Sequence, residues 1–473
     1  MFTLADLVEA LTGQRWPQAT QAIPEVVVDS RHAVAGALFV ALPGQRMDGH
    51  DFVADAFERG ASFALVQRDL MGYPVLDLRR PLTPEDWAAF RVPALLRVGD
   101  TLQALQQAAR FWRRKLPHLR VIGITGSVGK STTKELVAQV LSRRYRTLKN
   151  LGNLNNEIGL PLTVLRLTEG HQRAVLEMGF YVPGEIALLC DIARPQVGVV
   201  TNIGTVHAER AGSQETIARG KAELVEALPP APEGVAVLNY DDPWVRWMAE
   251  RTQARVFFYG LDPRADLWAD EIEGLGLEGI AFRLHYRDDT IAVKAPLLGR
   301  HSVHTALRAA AVGLMEGLTW QEIVEGLRMG HTQLRLIAVR ASNGALILDD
   351  TYNASPQSTL AALNLLVDLP GRRIAVLGDM LELGPYEREG HEKVGVRAAE
   401  VADVLITVGP RAQMIAQAAL RAGMPTGRVH STADANEAVE VLKALLRPDD
   451  VVLVKASHGM RLDRVVAALE AEA

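Results

Sequence analysis

The sequence predicts an α/β protein of three domains, and three observations carry that expectation. A short apolar strand runs through a glycine-bracketed loop straight into an amphipathic helix near residue 125; strand and helix patterns alternate through the middle of the chain; and a second alternating series opens at residue 346. The length of 473 residues with 48% apolar content suits about three domains of ordinary size. Boundaries are expected after residues 98 and 331: an N-terminal α/β domain, 1–98, a central phosphate-loop domain, 99–331, and a C-terminal doubly wound domain, 332–473.

From the start of the chain, Leu4, Leu7, Val8 and Leu11 share a helical face, with Thr3 placed to cap it and Gly13 to stop it. Val26 to Val28 form a strand leading into Asp29-Ser30-Arg31. A second strand, Ala37 to Leu42, leads into a polar loop at 43–51. Solvated loops and a binding site are equally good readings of that pair. Residues 71 to 98 hold four prolines and no sustained period, which predicts a loop-rich boundary. Leu102, Leu105, Ala109, Trp112 and Leu116 then mark a connecting helix closed by Pro117.

The loop at 125–132, TGSVGKST, follows the strand Val121, Ile122, Ile124 and precedes a helix with Leu136, Val137, Val140 and Leu141 on its apolar side. Gly126 and Gly129 let the backbone around Ser127 and Val128 turn its N–H groups toward one oxyanion. Lys130 adds a positive charge, and Ser131 and Thr132 place hydroxyls at the helix start, Ser131 in the position that suits Mg2+. Further on, Ala174 to Leu176 end in Glu177-Met178-Gly179, Val197 to Val200 end in Thr201-Asn202, and His207 follows. Ligands of open parallel sheets sit at the carboxyl ends of strands, so Ser131, Glu177 and His207 are candidates for one site. Taken singly, His207 suits a structural role and Lys221 a solvated one. Asn153, Asn155 and Asn156 suit a loop offering amides to a polar ligand, or a plain turn. The third series opens with a strand at 346–348 that runs into Asp349-Asp350 and Tyr352-Asn353, with further strands at 373–377, 404–408 and 451–454. The strand at 373–377 lacks the GxGxxG of a dinucleotide fold.

The 51 basic and 56 acidic residues leave a net charge of −5, which argues against nucleic-acid binding. The sequence has no signal-peptide pattern and no apolar run of membrane-spanning length, so a cytoplasmic enzyme without membrane insertion is expected. The single cysteine, Cys190, lies in an apolar run and reads as a buried structural thiol.

Together, TGSVGKST, NLNNEIGLPLT at 153–163, EMG at 177–179, TNIGTVH at 201–207, GKAE at 220–223, DDTYNA at 349–354 and GDMLELG at 378–384 resemble the Mur ligases, in the branch that adds D-alanyl-D-alanine. The resemblance spans nearly the whole chain. It implies an ATP-dependent and Mg2+-dependent ligase that joins D-alanyl-D-alanine to UDP-MurNAc-tripeptide through an acyl phosphate, acting as a monomer. The alternative is a related Mur or folylpolyglutamate-type ligase adding a single amino acid. By the same resemblance, Ser131 and Glu177 hold one Mg2+, and His207 and a carbamylated Lys221 hold a second. Arg335 and Asp350 reach ATP, Tyr352, Asn353, Asn155 and Asn156 face substrate, and Ser30 and Arg31 lie in the region that holds the uridine end. One departure stands out. After Gly299-Arg300-His301 the family has two asparagines, three positions apart, that serve adenine, whereas this chain has Ser302 and Thr305. A hydroxyl does not span the donor–acceptor pair of adenine's edge, so only a modest preference for ATP over GTP is expected.

Overall fold

The computed structural model describes residues 1–44, 47–206, 208–329 and 336–470. The chain forms two compact units. One comprises Met1–Gly123, Tyr145–Gly179 and Gly184–Val197, and the other Ile124–Arg144, Phe180–Pro183 and Gly198–Ala473.

In the first unit the opening helix, Leu4–Thr12, is held by the expected cap. The Asp6 amide donates to Thr3 Oγ1 at 3.2 Å, the Thr3 amide donates back to Asp6 Oδ2 at 3.0 Å, and Gly13 ends the helix at φ 74°. A parallel five-stranded sheet follows, in the spatial order Val26–Val27, Leu38–Val40, Phe63–Val66, Ala94–Arg97, Val75–Asp77. Here the stretch read as loop-rich, 71–98, differs from expectation: it contains two of these strands and a helix, Pro84–Ala89. The prolines sit between these elements or, as Pro84, at a helix N1, where the missing N–H costs nothing. The connecting helix Thr101–Arg114 is anchored by Trp112, whose indole N–H donates to the Leu167 carbonyl at 2.8 Å. The strand Arg173–Glu177 pairs in parallel with Thr147–Lys149 and ends on Glu177.

In the second unit the helix Lys130–Leu141 follows the phosphate loop. The strands Val235–Asn239, Arg255–Gly260 and Leu267–Gly274 pair in parallel, and an antiparallel hairpin, Ile280–Tyr286 with Asp289–Ala295, extends them. Helix Val303–Met315 packs on the helix after the loop. The C-terminal sheet has the spatial order Ile337–Arg340, Leu346–Asp350, Asp450–Lys455, Arg372–Gly378, Val404–Val408, Val429–Thr432, parallel except for its first edge strand. Along Arg372–Gly378, Ile374 and Val376 enter one hydrophobic cluster, and Ala375 and Leu377 enter another. That alternation on a strand buried on both faces is what a doubly wound sheet requires. Among the described residues, no helix is long and apolar enough to cross a membrane.

Candidate active site

The second unit is organised around the phosphate loop, and the strand ends beside it hold the loop in place. The Ser127 amide donates to the Asn202 carbonyl at 2.9 Å, and the Val128 amide to Asn202 Oδ1 at 3.0 Å. The Val128 carbonyl accepts from Asn202 Nδ2 at 3.0 Å and from Thr201 Oγ1 at 2.7 Å, while the Gly204 amide donates to Ser127 Oγ at 2.8 Å. Thr201 is fixed in turn, because its carbonyl accepts from Asn239 Nδ2 at 3.1 Å and from the Tyr259 hydroxyl at 3.2 Å. Thr201-Asn202, read in the sequence as a loaded strand end, therefore acts as the clamp of the loop.

The loop is so tightly seated that only glycine fits at 126. Its φ is 139°, and a Cβ there would lie 1.9 Å from Thr201 Oγ1. Gly129, at φ 83°, begins the helix without a side-chain cap, and a helix N-terminus is a place that favours an anion. Lys130 Nζ lies over the loop, donating to the carbonyls of Gly126 at 2.9 Å and Ser127 at 3.3 Å, and Ser131 is buried at the first turn. A phosphate chain fits this arrangement of backbone donors and cation.

The cavity beside the loop, about 420 Å³, is lined by Ser127, Val128, Gly129 and Thr132, by Asn202 and Asn239, by the turn and helix at 297–308, and by Asp350, Asn353 and Lys455 of the C-terminal sheet. Lys455 Nζ donates to Asp350 Oδ2 at 2.6 Å and to the Asn353 carbonyl at 2.9 Å, which fixes the end of the strand Leu346–Asp350 against the cavity. Tyr352, adjacent in sequence, is largely exposed and meets the His458 ring edge-on. On the opposite wall, Thr305 Oγ1, at a position where the family resemblance leads one to expect an amide, accepts from Arg308 Nη2 at 3.0 Å. His304 Nε2 lies 2.9 Å from Asp241 Oδ2. Burial pushes the Asp241 carboxyl up, but His304 and the amides of Leu261 and Asp262 outweigh it and hold the group below its usual range.

Lys221 is buried on helix Gln214–Glu226. Its Nζ donates to the Gly126 carbonyl at 3.2 Å and lies 4.6 Å from the centre of the Phe180 ring. The cation is thus brought to the loop, well away from the solvated position that its residue type alone would suggest. In the first unit, Glu177 is buried at its strand end, where Asn155 Nδ2 donates to Oε1 at 2.9 Å and the Glu177 amide donates to Asn150 Oδ1 at 3.0 Å. Asn155 therefore supports the carboxylate. Asn156 Oδ1 accepts from the Gly159 amide at 2.9 Å. Ser30 is buried, and Arg31 points outward in a pair with Asp29 at 2.6 Å that lowers the Asp29 carboxyl to about 2. His207 and Arg335 lie outside the described residues. The oxygen donors of Ser131 and Glu177 are of the kind that Mg2+ prefers.

Sequence reasoning missed Asn239, Arg308 and Lys455. Lys455 had a legible signal, a lysine ending an apolar strand on the edge that carries Asp350. Arg308 sits in an alanine-rich helix whose pattern shows no polar face, so its direction waited on the packing.

The chain matches three family models in succession: the Mur ligase family catalytic domain over 22–113, the Mur ligase middle domain over 124–313, and the Mur ligase glutamate ligase domain over 334–458. It is 37% identical over 458 residues to the UDP-N-acetylmuramoyl-tripeptide–D-alanyl-D-alanine ligase of Bacillus subtilis (strain 168), covering 96% of this chain and 94% of the relative. The chain belongs to the Mur ligase family. Within it, this Mur ligase is also 35% identical to the enzyme of the same name from Escherichia coli (strain K12), over 99% of this chain and 98% of that one. Among solved structures it resembles MurF from Acinetobacter baumannii, with a TM-score of 0.83, 32% identity and coverage of 98% and 97%. It also resembles the MurF ligase of Thermotoga maritima in complex with ADP, with a TM-score of 0.77, 28% identity and 97% of each chain covered. The expected α/β class with three Mur ligase domains holds.

Proposed function

We propose that this chain joins D-alanyl-D-alanine to UDP-MurNAc-tripeptide with hydrolysis of ATP to ADP and phosphate, in the cytoplasmic synthesis of peptidoglycan precursors. The observation that carries the reading is the likeness to D-alanyl-D-alanine-adding ligases over nearly the full length, together with a phosphate loop that opens on a cavity shared with Asp350 and Lys455. A carboxylate oxygen of the tripeptide attacks the γ-phosphorus of ATP, the bond to the ADP oxygen breaks, and an acyl phosphate forms. The dipeptide amine then attacks the acyl carbon, loses a proton, and inorganic phosphate leaves.

Like charges repel in the first step, and the loop N–H groups with Lys130 offset that repulsion. Mg2+, when bound, supplies further neutralisation of the phosphoryl oxygens, with Ser131 and Glu177 as holders of one ion and His207 and Lys221 of another. In this reading Lys221 is carbamylated, because an ammonium does not ligate Mg2+ and a carbamate offers oxygens. Asn155 acts through Glu177, and Asn156, Tyr352 and Asn353 face the peptide substrate. Asp350 and Arg335 reach ATP, and Ser30 and Arg31 serve the uridine end. The domain division at 98/99 and 331/332, and action as a monomer, belong to the same reading.

A folylpolyglutamate synthase of known structure matches at 18% identity over 78% of this chain, a likeness of fold. One assay tests the assignment. ADP release should require UDP-MurNAc-tripeptide and D-alanyl-D-alanine together. ADP release with a single amino acid in place of the dipeptide, or without the nucleotide-sugar peptide, would overturn it.

A further inference from the structure

Arg308 is the least expected charge in the second unit. It lies on helix Val303–Met315 and is 4% exposed, yet no carboxylate among the described residues pairs with it. Its Nε donates to the His304 carbonyl at 2.8 Å and its Nη2 to Thr305 Oγ1 at 3.0 Å, while Nη1 is buried without a hydrogen-bond partner. The nearby acids are engaged elsewhere. Asp241 holds His304 and the amides of Leu261 and Asp262, and Asp242 holds the amide of Ile203 and caps the helix Pro243–Trp247. The Tyr259 ring lies 5.9 Å from the guanidinium, and its hydroxyl donates to backbone carbonyls. Burial accordingly lowers the tendency of Arg308 to hold its proton, although an arginine remains charged.

A buried guanidinium with a nitrogen left without a partner is costly unless something anionic completes it. What it faces is the cavity, and specifically the loop: a Cβ built on Gly129 would lie 3.3 Å from Arg308 Nη1. The two hydrogen bonds to its own helix fix the fork so that the third nitrogen is presented beside the first residues of the phosphate-binding turn. Neutral acceptors on a base or ribose would satisfy the donor but leave the charge uncompensated; a phosphate oxygen does both, in a charge-assisted bond.

We propose that Arg308 is a nucleotide-binding residue that donates from Nη1 to the phosphate chain of the bound nucleotide, a second cationic contact in addition to Lys130. The proposal rests on the reading of the cavity as an ATP site. It also accounts for Thr305, whose hydroxyl orients the guanidinium. The affinity that an amide at 305 would have drawn from the base is drawn here from the phosphates.

The test compares equilibrium binding of ADP and adenosine to the full-length protein and to Arg308→Met and Arg308→Lys, with thermal melts as the check of folding. The wild-type protein should bind ADP. Arg308→Met should weaken ADP at least about tenfold, the scale of a lost charge-assisted hydrogen bond, and leave adenosine within about twofold. Arg308→Lys, which keeps the charge and the aliphatic stem, should recover part of the loss even if Arg308→Met melts early. An equal loss for ADP and adenosine would place the contact on the base or ribose, and unchanged ADP binding in Arg308→Met would make the residue structural; either result overturns the proposal while leaving the ATP site intact. Failure of the wild-type protein to bind ADP would overturn the ATP reading itself, and the proposal with it.

Discussion

Replacing Gly126 by alanine tests whether the phosphate loop is held as rigidly as its hydrogen bonds imply. The new Cβ would meet Thr201 at three atoms: Oγ1 at 1.9 Å, Cβ at 2.9 Å and the backbone nitrogen at 3.0 Å. That nitrogen is not free to move, since it donates to the Thr125 carbonyl at 3.0 Å. Keeping the loop in place therefore costs about 1 to 3 kcal/mol in overpacking and about as much again for an L-residue held at φ 139°. Letting the loop swing out sacrifices the bonds from the Ser127 and Val128 amides to Asn202, from Thr201 Oγ1 and Asn202 Nδ2 to the Val128 carbonyl, and from the Gly204 amide to Ser127 Oγ, together roughly 2.5 to 7.5 kcal/mol at about 0.5 to 1.5 kcal/mol each. The two routes are of similar cost, so displacement of the loop is the accessible response. Gly126→Ala should remain folded and lose about 2 to 4 kcal/mol in urea melts, within the typical total of roughly 5 to 15 kcal/mol. Its ADP release should fall at least about a hundredfold, as expected for a misplacement of about 1 Å at a reacting centre. Adding Thr201→Ala removes the shortest contact but not the other two, so it should restore only part of the rate. Wild-type turnover in Gly126→Ala, or complete recovery in the double variant, would refute the reasoning.

Lys130→Ala and Glu177→Ala should each lower turnover at least about a hundredfold without unfolding the protein, because both groups serve developing charge; near-normal rates in either folded variant would contradict the site. Lys221→Ala should be slow and partly rescued by short carboxylates, whereas Lys221→Arg should be slow and not rescued. Thr305→Asn should sharpen a native ATP-over-GTP preference that is only modest; a strong native preference abolished by His304→Ala would instead assign the base to the histidine. Asp6 is a test of pH dependence. Burial pushes its carboxyl up, but Thr3, Lys115 at 2.9 Å and Arg15 at 3.0 Å outweigh this and hold it below its usual value. A folded-state value below the unfolded one stabilises the protein above the unfolded value and is lost as pH falls through the folded value. Asp6→Asn should therefore cost about 1 to 3 kcal/mol at neutral pH, with the difference from wild type closing below about pH 4 in denaturant melts.

The sequence by itself determined the elements whose causes are local. The Thr3 cap and Gly13 stop, the loop from Gly126 to Lys130, the strand ending on Glu177 and the alternating C-terminal strands are all written in spacings of a few residues, and the structure places each as read. Proline density misled at 71–98, because prolines at element ends look like a linker when the strands between them pair with partners distant in the chain. Other features depended wholly on tertiary packing. Asn155, a candidate ligand-binding amide, donates to Glu177, 22 residues on. Lys221, which a helix pattern would leave in water, came to lie against the Gly126 carbonyl, 95 residues away in sequence. Arg308, in an alanine-rich helix, acquired its meaning from lying beside Gly129 at the cavity. Local pattern fixes which backbone shape a segment adopts, but the environment of a buried charge is set by residues that the chain brings together only on folding.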